Sequence, residues 1–286
     1  MKYGVYIPIF GPFGYGRVII DIAREVEAAG WDGLFIWDQI TGFGADPVVD
    51  PQVALTAIAL NTERIRFGIL ITPLARRRPH KYAREMMSLD TLSNGRLICG
   101  VGLGASSEEF EDLGEQADLK VRAAMLDEAL EVVTGLWREP SFSFDGQYYH
   151  IQNSAFLPKP VQKPRIPIWT AGVWPGKAPF QRAARWDGVF PLWREGGLEG
   201  MMPPEEYPEL IDHIFSQRQT DAPFDVVHGG KTPGNPEHAA EIVEPYAEAG
   251  VTWWMESISP WTYGGDDQNW DTPAMRARIN QGPPQH

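Results

Sequence analysis

The chain has 286 residues, a single cysteine and a formal net charge of −13, and 12% of its residues are aromatic. That aromatic content is untypical of disordered proteins, and a single cysteine excludes a disulfide within the chain. The acidic balance argues against nucleic acids and anionic membrane surfaces as partners. The sequence has no apolar run of about 18 residues and no convincing signal peptide, so a cytoplasmic protein is expected.

Eight short runs rich in β-branched and aromatic residues predict β-strands. They begin at Tyr3, Gly33, Arg66, Leu97, Ile166, Asp187, Phe224 and Val251. Helix-length gaps separate most of them, and the runs are apolar on both faces, as parallel strands covered by helices must be. The sequence therefore predicts an α/β fold, a (β/α)8 TIM barrel, in which residues 1–286 form one domain. An open, doubly wound sheet is the alternative.

The segments between the strands support this arrangement. Residues 18–30 and 118–139 each place apolar side chains on one helical face, and 237–250 is a third predicted helix. The longest gap lies between the fourth and fifth predicted strands. It contains a helix, a predicted hairpin turn at Asp145-Gly146 and a proline-rich tract. We expect this segment to be an insertion at the mouth of the barrel.

In a TIM barrel the catalytic residues come from the carboxyl ends of the strands. Asp38, His228 and Glu256 lie at three of these ends and are candidates for proton transfer. Each is explained at least as well as a structural hydrogen-bonding group. A hydrolase that uses the carboxylates of Asp38 and Glu256 is a further alternative. The sequence contains no metal-binding motif, no nucleophile elbow and no Walker loop.

Other features at the strand ends favour a flat, partly anionic ligand. Gly102 and Gly104 follow the fourth strand and precede a long helix, a position that does not fit a dinucleotide fingerprint. Residues 171–174 lead into a helix, so their amides are candidates for binding a phosphate, with a plain turn as the alternative. The cluster 76–78 of three arginines is either a solvated loop or a site for an anionic tail. Aromatic residues predicted at the mouth indicate a hydrophobic substrate: Phe10, Phe43, Trp174, Trp193 and Trp261.

Four segments carry a family resemblance. They are ITPLARRRPHKYARE from Ile71, LDTLSNGRLICGVGLG from Leu89, FDGQYYHIQNSAFLPKPVQKPRIPIWTAG from Phe144 and AGVTWWMES from Ala249. Together they resemble the bacterial luciferase-like superfamily, which contains flavin-dependent monooxygenases and oxidoreductases that use the deazaflavin coenzyme F420. The resemblance implies a barrel enzyme that binds FMN or F420 and a small organic substrate, and that forms a homodimer.

The resemblance also implies where the cofactor lies. A non-proline cis peptide at Leu70-Ile71, within a bulge, is expected behind the ring, and Thr72 is expected to reach the polar edge of the ring. Two glycines would border the ring and four further residues would contact the phosphate. These positions are Gly102 and Gly104 for the ring, and Ala171, Gly172, Val173 and Trp174 for the phosphate.

One position departs from the F420-dependent members. Many of these have Asp-His at the end of the second strand, where this chain has Asp38-Gln39. Gln39 forms hydrogen bonds but donates no proton near neutral pH, so either another group, with His228 and Glu256 as candidates, replaces the histidine or the protein carries out different chemistry. The predicted catalytic residues are Asp38, Gln39, His228 and Glu256. The expected function is an FMN-type monooxygenase, with an F420-dependent hydride-transferring oxidoreductase as the close alternative and a noncatalytic flavin-binding protein as the third.

Overall fold

A computed structural model describes residues 1–41, 46–105, 107–195, 200–266 and 268–284. Its strands are β1 (Lys2–Ile7), β2 (Gly33–Ile36), β3 (Arg66–Pro73), β4 (Leu97–Gly102), β5 (Phe142–Asp145), β6 (His150–Ser154), β7 (Ile168–Trp174), β8 (Gly188–Trp193), β9 (Asp225–Gly230) and β10 (Trp253–Ser257). Eight of them form a closed barrel in the order β1-β10-β9-β8-β7-β4-β3-β2, and all of its pairs are parallel. The predicted TIM barrel is confirmed, and the open sheet is excluded because β10 pairs with β1.

The α-helices surround the barrel. They are α1 (Gly16–Ala28), α2 (Pro51–Asn61), α3 (Pro79–Leu92), α4 (Ser107–Asp112), α5 (Leu119–Arg138), α6 (Lys177–Ala183), α7 (Tyr207–Phe215), α8 (Pro236–Glu248) and α9 (Thr272–Gln281). Local sequence fixes several of their ends. The carboxylates of Asp50 and Asp118 accept hydrogen bonds from first-turn amides of α2 and α5. Gly30, which follows α1, has the positive φ of +92° that glycine adopts readily.

The segment between β4 and β7 lies elsewhere than predicted. The hairpin of β5 and β6 packs beside α5, where the Glu128 carboxylate accepts hydrogen bonds from the amides of Gln147 and Tyr148 at 2.7 and 2.9 Å. The following tract reaches the amino end of the barrel, because the Gln162 side chain donates to the Leu97 carbonyl at the start of β4. The insertion is confirmed, but its placement at the mouth was wrong. Asp145 also belongs to a strand, so the turn begins one residue later than expected.

A buried ion pair fastens α9 to the barrel. The Arg278 guanidinium lies 3.4 Å from Glu256 on β10, and their side chains are 5% and 0% exposed. The Glu256 carboxylate also accepts hydrogen bonds from the Thr232 amide and hydroxyl at 2.9 and 2.8 Å. Burial raises the pKa of Glu256, and the Arg278 charge and the Thr232 hydrogen bonds oppose that rise. The last helix is therefore held by a desolvated charge pair.

We predict that Arg278→Met destabilises the protein far more than Arg276→Met on the same helix. Removing Arg278 leaves the buried Glu256 without its counterion, which should cost about 3–5 kcal/mol. Arg276 pairs with Glu25 where both side chains are partly exposed, so its loss should cost at most about 1 kcal/mol. Urea denaturation followed by tryptophan fluorescence measures both values. If both variants lost the same free energy of unfolding, the Arg278–Glu256 pair would not be what holds α9 on the barrel.

Candidate active site at the carboxyl end of the barrel

The interior of the barrel is a solid core of side chains. The rings of Phe35, Trp169 and Trp253 come from β2, β7 and β10, and their centroids lie 5.4–5.8 Å apart. Strands this far apart in the barrel meet only at its centre, so these side chains point inward. The buried inner cluster consists of Phe35, Leu70, Ile98, Trp169, Phe190, Val227, Trp253 and Met255. A ligand of the barrel must therefore lie beyond this floor, at one end.

A ring of partly exposed side chains packs on the floor towards the carboxyl ends of the strands. Its members are Tyr6, Ile71, Ala171 and Leu192, from β1, β3, β7 and β8. The alternation of strand side chains places Tyr6, Ala171 and Leu192 on the inner face. Ile71 joins them although it directly follows the floor residue Leu70, because the bulge of β3 interrupts the alternation there. We call these four residues the mouth ring. They form an apolar cup with one hydroxyl.

Three of the predicted cofactor-binding residues come together in this cup. A Cβ built on Gly102 would lie 2.2 Å from Ile71 Cδ1 and 3.7 Å from Ala171 Cβ. The pairing of β3 with β4 shifts between Ile69 and Thr72, and the Leu70–Ile71 peptide is cis. The predicted bulge and cis peptide are thus present at the predicted position. The lack of a side chain at Gly102 allows the Ile71 side chain to pack directly against the backbone of β4, and any other residue at 102 would collide with it.

Tyr6 is a residue of the mouth that the sequence interpretation missed. Its hydroxyl donates a hydrogen bond to the Leu70 carbonyl at 2.6 Å and so connects β1 to the bulge of β3 across the cup. Its alternation with Val5 and Ile7, whose side chains face the helices, was the signal that places it inside. Tyr6 therefore fixes the backbone at the position predicted to support the ring.

Asp38 follows the end of β2 and forms an ion pair with Arg77 inside the protein. Its carboxylate is fully buried and accepts two hydrogen bonds from the Arg77 guanidinium, at 2.9 and 2.8 Å. Burial raises the pKa of Asp38, while the charges of Arg77 and then Arg76 lower it. The same carboxylate holds the pKa of Arg77 above its usual value in spite of burial. The role of Asp38 in this structure is to position Arg77 and the loop after β3.

Two further predicted residues near Asp38 have unpaired polar atoms. Thr72 Oγ1 is buried next to Asp38 and Tyr82 and forms no hydrogen bond of standard geometry within the described part of the chain. Its hydroxyl therefore lies behind the bulge, on the side of Asp38, and does not point to a ring in the cup. Gln39 Oε1 is also buried and lacks a partner among the residues described. The predicted role of Gln39 stays a prediction.

His228 and Glu256 do not join the other candidates. Both alternate with inner-face neighbours, Val227 and Met255, and so point outward into the layer between barrel and helices. His228 Nδ1 lies 2.6 Å from the Tyr207 hydroxyl of α7, and Glu256 contacts Arg278. The structure gives neither side chain access to the cup, so the geometry does not support the proton-donor role predicted for them. It also leaves Asp38 and Glu256 without the shared cleft that a glycosidase needs.

The remaining predicted positions surround the cup at its rim. A side chain on Gly104 would collide with Phe110 of the following helix, and one on Gly172 with Pro179 of α6, so both glycines also serve close packing. The Trp174 ring is fully buried against α6, and its Nε1 donates to Glu206 at 2.8 Å. Trp174 as a whole residue is 0% exposed, whereas Val173 is 42% exposed.

Arg194 adds a positive charge to this rim, which the sequence interpretation did not identify. It follows β8, and its Nη2 lies 3.7 Å from the position of a Cβ on Gly176, at the turn that leads into α6. Arg194 is exposed and forms no ion pair within the described ranges. The sequence could have indicated Arg194 only through its position, because it is the first basic residue after the end of β8. The Arg194 amide donates to the Trp174 carbonyl at 3.3 Å, so Arg194 lies next to residues 171–174, whose role in binding a phosphate stays a prediction.

The arginine cluster after β3 is neither a solvated loop nor a receptor for an anionic tail. Arg76 pairs with Glu109 and Glu115 and is only 3% exposed, and Arg77 pairs with Asp38. Arg78 alone remains exposed. For Arg76 and Arg77 both the solvated loop and the site for an anionic tail were wrong, because carboxylates of the protein itself already bind the two guanidinium groups.

The aromatic residues expected at the mouth separate into three groups. Trp261 contacts Phe10 and stacks on Trp37 at 6.0 Å, with an angle of 6° between the rings, beside Tyr6. Trp174 and Trp193 pack in the outer core. Phe43 lies outside the described residues. The aromatic wall of the mouth is therefore on the side of β1, β2 and β10, across the barrel from Arg194, which follows β8.

Sequence comparisons identify a family. Residues 1–214 match the family described as luciferase-like monooxygenase. A Mycobacterium tuberculosis (strain CDC 1551 / Oshkosh) protein described as uncharacterized is 36% identical over 231 residues, which cover 79% of this chain and 73% of that protein. An F420-dependent glucose-6-phosphate dehydrogenase of Amycolatopsis mediterranei (strain U-32) is 29% identical over 175 residues, or 60% of this chain and 51% of that enzyme.

Solved structures show the same fold at low identity. The coenzyme F420 dependent tetrahydromethanopterin reductase from Methanopyrus kandleri has a TM-score of 0.73 and 16% identity, with 98% of this chain and 96% of that chain covered. The oxygenating constituent of 3,6-diketocamphane monooxygenase from Pseudomonas putida, in complex with FMN, has a TM-score of 0.57 and 18% identity, with 88% and 64% covered. The two names contain the cofactors that the resemblance implied.

Neither a membrane span nor a metal centre is found among the described residues. Among them, no helix is long and apolar enough to cross a membrane. Within the same ranges, no three His, Cys, Asp or Glu side chains are grouped so as to hold a metal ion.

We predict that His228 makes the protein less stable in mild acid. Burial lowers the pKa of His228 to about 3, whereas an unfolded histidine titrates near pH 6.5. Between these values the unfolded chain binds a proton that the folded chain excludes, so the free energy of unfolding falls as the pH falls. From pH 7 to pH 5 this group alone should remove about 2 kcal/mol.

The pH dependence of urea unfolding tests this assignment. His228→Gln retains a hydrogen-bonding partner for the Tyr207 hydroxyl but removes the titrating group, so its stability should change less between pH 7 and pH 5 than that of the wild type. If the two proteins lose the same free energy over that interval, His228 does not stay neutral in the folded state.

Proposed function

The chain belongs to the luciferase-like monooxygenase family, and on that premise we propose that it is an oxidoreductase that binds a flavin-type ring noncovalently at the carboxyl end of the barrel. Members of the family are flavin- or F420-dependent enzymes, in agreement with the predicted enzyme. One observation supports this placement of the ring: partly exposed apolar side chains lie above a solid floor, and Ile71 among them packs on the bare backbone of Gly102. A cytoplasmic homodimer stays a prediction.

The residues present fit such a ring. A flat tricyclic ring needs a wide, apolar and shallow site, and the mouth ring provides one in which the only hydroxyl, that of Tyr6, is used to hold the Leu70 carbonyl. The anionic tail of the cofactor requires amides or cations near the ring. Residues 171–174 and the Arg194 guanidinium lie on one side of the rim and meet this requirement.

The proposed roles of the residues follow from these positions. When bound, a flavin or deazaflavin ring supplies hydride chemistry at its central position. Ile71 supports one face of the ring, and Tyr6 keeps the bulge that carries Ile71 in place. Ala171 and Leu192 exclude water from the edge of the ring. Asp38 neutralises Arg77 and so keeps a free positive charge away from the cup.

We propose FMN as the cofactor, and monooxygenation as the reaction class, ahead of F420. Gln39 in place of the histidine of many F420-dependent members supports this order, as does the family description. The exposed Arg194 beside β7 also suits a cofactor with a terminal phosphate. F420 is the second candidate, because relatives at 29% identity are F420-dependent dehydrogenases.

Anaerobic titration of the purified protein with each cofactor tests the proposal. Quenching of tryptophan fluorescence should report saturable binding of FMN, in its oxidised or its reduced form, with a dissociation constant in the micromolar range or below. Tight binding of F420 without affinity for FMN would reverse the order of the two candidates. Binding of neither would overturn the proposed function.

We predict that Ala171→Phe blocks the site. The added ring would fill the cup next to Gly102 and Ile71 and should weaken cofactor binding at least about tenfold, the equivalent of 1.4 kcal/mol. Thr170→Val is the matched control, because Thr170 is buried on the opposite face of β7 and its hydroxyl has no partner among the described residues. The control should bind as the wild type does. Unchanged binding by Ala171→Phe would place the ring elsewhere.

We also predict that Arg194→Gln weakens cofactor binding and makes it less sensitive to salt. The loss of one exposed cation from a phosphate should cost up to about 1 kcal/mol, or about fivefold in the dissociation constant. Arg138→Gln is the control, because Arg138 is an exposed arginine that pairs with its neighbour Glu139 on α5. Titrations at low and high ionic strength measure both effects. Equal changes in the two variants would show that only net charge matters.

A further inference from the structure

The end of the barrel opposite the cup carries two charged side chains that face its interior. Lys2 and Asp225 are the first residues of β1 and β9. The Lys2 ammonium lies 5.2 Å from the centre of the Trp253 ring, and the Asp225 carboxylate accepts a hydrogen bond from Trp169 Nε1 at 3.2 Å. Both rings belong to the floor. Within the ranges that the structure describes, neither Lys2 nor Asp225 forms an ion pair.

These two side chains line one depression at the amino end of the barrel. Its volume is about 300 Å³, and its wall consists of Met1, Lys2, Asp225, Val251 and Thr252. Because β10 lies between β1 and β9, the depression extends across three neighbouring strands. Lys2 is exposed and Asp225 is half-buried, so both are accessible from solvent. A small molecule in the depression therefore contacts a cation, a carboxylate and two apolar side chains at the same time.

The Asp225 carboxylate is held in place, but no cation contacts it among the described residues. Thr252 Oγ1 donates to one of its oxygens at 3.1 Å, and Trp169 Nε1 donates to the other. Burial raises the pKa of Asp225, whereas these hydrogen bonds and the more distant charges of Lys2 and Arg66 lower it. A carboxylate oxygen accepts more than one hydrogen bond, so both oxygens can still bind a cationic donor. Such a donor compensates a partly desolvated negative charge.

We propose that this depression binds a free aliphatic α-amino acid. The ammonium group of the ligand pairs with Asp225, its carboxylate pairs with Lys2, and its side chain packs on Met1 and Val251. The opposite signs of the two protein charges select a zwitterion, because a simple anion meets the Asp225 carboxylate and a simple cation meets the Lys2 ammonium. The solid floor separates this site from the cup, so the inference does not depend on the proposed function.

The position of the Lys2 ammonium leaves its donors available to a ligand. It lies over the face of Trp253, a cation–π contact that uses none of its three N–H donors. A direct pair between Lys2 and Asp225 is the competing arrangement, and an ion pair at this degree of exposure contributes little. A bound zwitterion replaces that single weak pair with two and adds the burial of an apolar side chain. The ligand is therefore favoured over closure of the depression by Lys2.

The experiment compares three ligands of one carbon skeleton at neutral pH. L-leucine has both charges, isoamylamine lacks the carboxylate and isocaproate lacks the ammonium group. Calorimetric titration should give L-leucine a dissociation constant of about 1 mM or below, with binding at least about tenfold weaker for the other two. The site is located by ¹⁵N NMR of the tryptophan indoles after their assignment. The Trp169 resonance should shift and saturate with L-leucine, because its N–H donates to Asp225.

Variants assign each end of the ligand. Lys2→Met retains an apolar stem over Trp253 and should bind L-leucine about five- to tenfold more weakly, no better than isoamylamine, whereas Lys2→Arg should restore the affinity. Lys81→Met is the control, because Lys81 is an exposed lysine that pairs with Glu85 on α3, and it should bind as the wild type does. Asp225→Asn removes the negative charge and should abolish the preference for L-leucine over isocaproate. If Asp225→Asn does not fold, the Lys2 variants and the ligand series decide.

Several results would overturn the inference. They are the absence of L-leucine binding, equal affinities for the three ligands, an unchanged Trp169 resonance and an affinity that Lys2→Met leaves intact. FMN should bind equally well with and without L-leucine, since the floor lies between the two sites. Competition between them would place the amino acid in the cup and also contradict the inference. Loss of FMN binding alone would count only against the proposed function.

Discussion

The meeting of three aromatic rings at the centre of the barrel determines most of what this protein presents to a ligand. Phe35, Trp169 and Trp253 close the interior from three sides. Because these rings fill the interior, the barrel has no channel. The side chains that follow them towards the carboxyl ends of the strands are only partly buried and form the cup. The size of the floor residues sets the depth of that cup. Small residues above them, Gly102 and Ala171, then decide how flat a molecule it receives.

The electrostatics of the mouth result from neutralisation. Buried arginines follow β3, but each is matched by a carboxylate or a carbonyl supplied by a neighbouring loop, so the loops are bound to one another and the cup stays uncharged. Asp38 shows this most directly, because both of its oxygens are used by Arg77. At the mouth, the exposed positive charge that we assign to a ligand lies beyond the cup, at Arg194. The apolar mouth ring and the positive charge of Arg194 thus lie in different parts of the site.

The sequence predicted the barrel well, because apolar strands at helix-length spacing leave few alternatives once eight of them are present. It also predicted the Leu70–Ile71 cis peptide, but only through the family resemblance, since no local pattern marks such a bond. The alternation of side chains along β9 and β10 directs His228 and Glu256 outward, because their neighbours Val227 and Met255 face the interior of the barrel. The same rule would have found Tyr6 and Trp37. The pairing of Arg76 and Arg77 was not predictable, because it depends on side chains up to 39 residues away.

The pairing of β1 with β10 has a consequence for biosynthesis. The strand β1 finds its second neighbour only after Trp253–Ser257 have been synthesised. Until then the nascent chain carries one unsatisfied strand edge at each end of an incomplete sheet, and such edges invite pairing with other chains. Closure of the cylinder therefore waits for the synthesis of β10, and until then both open strand edges are exposed to pairing with other chains.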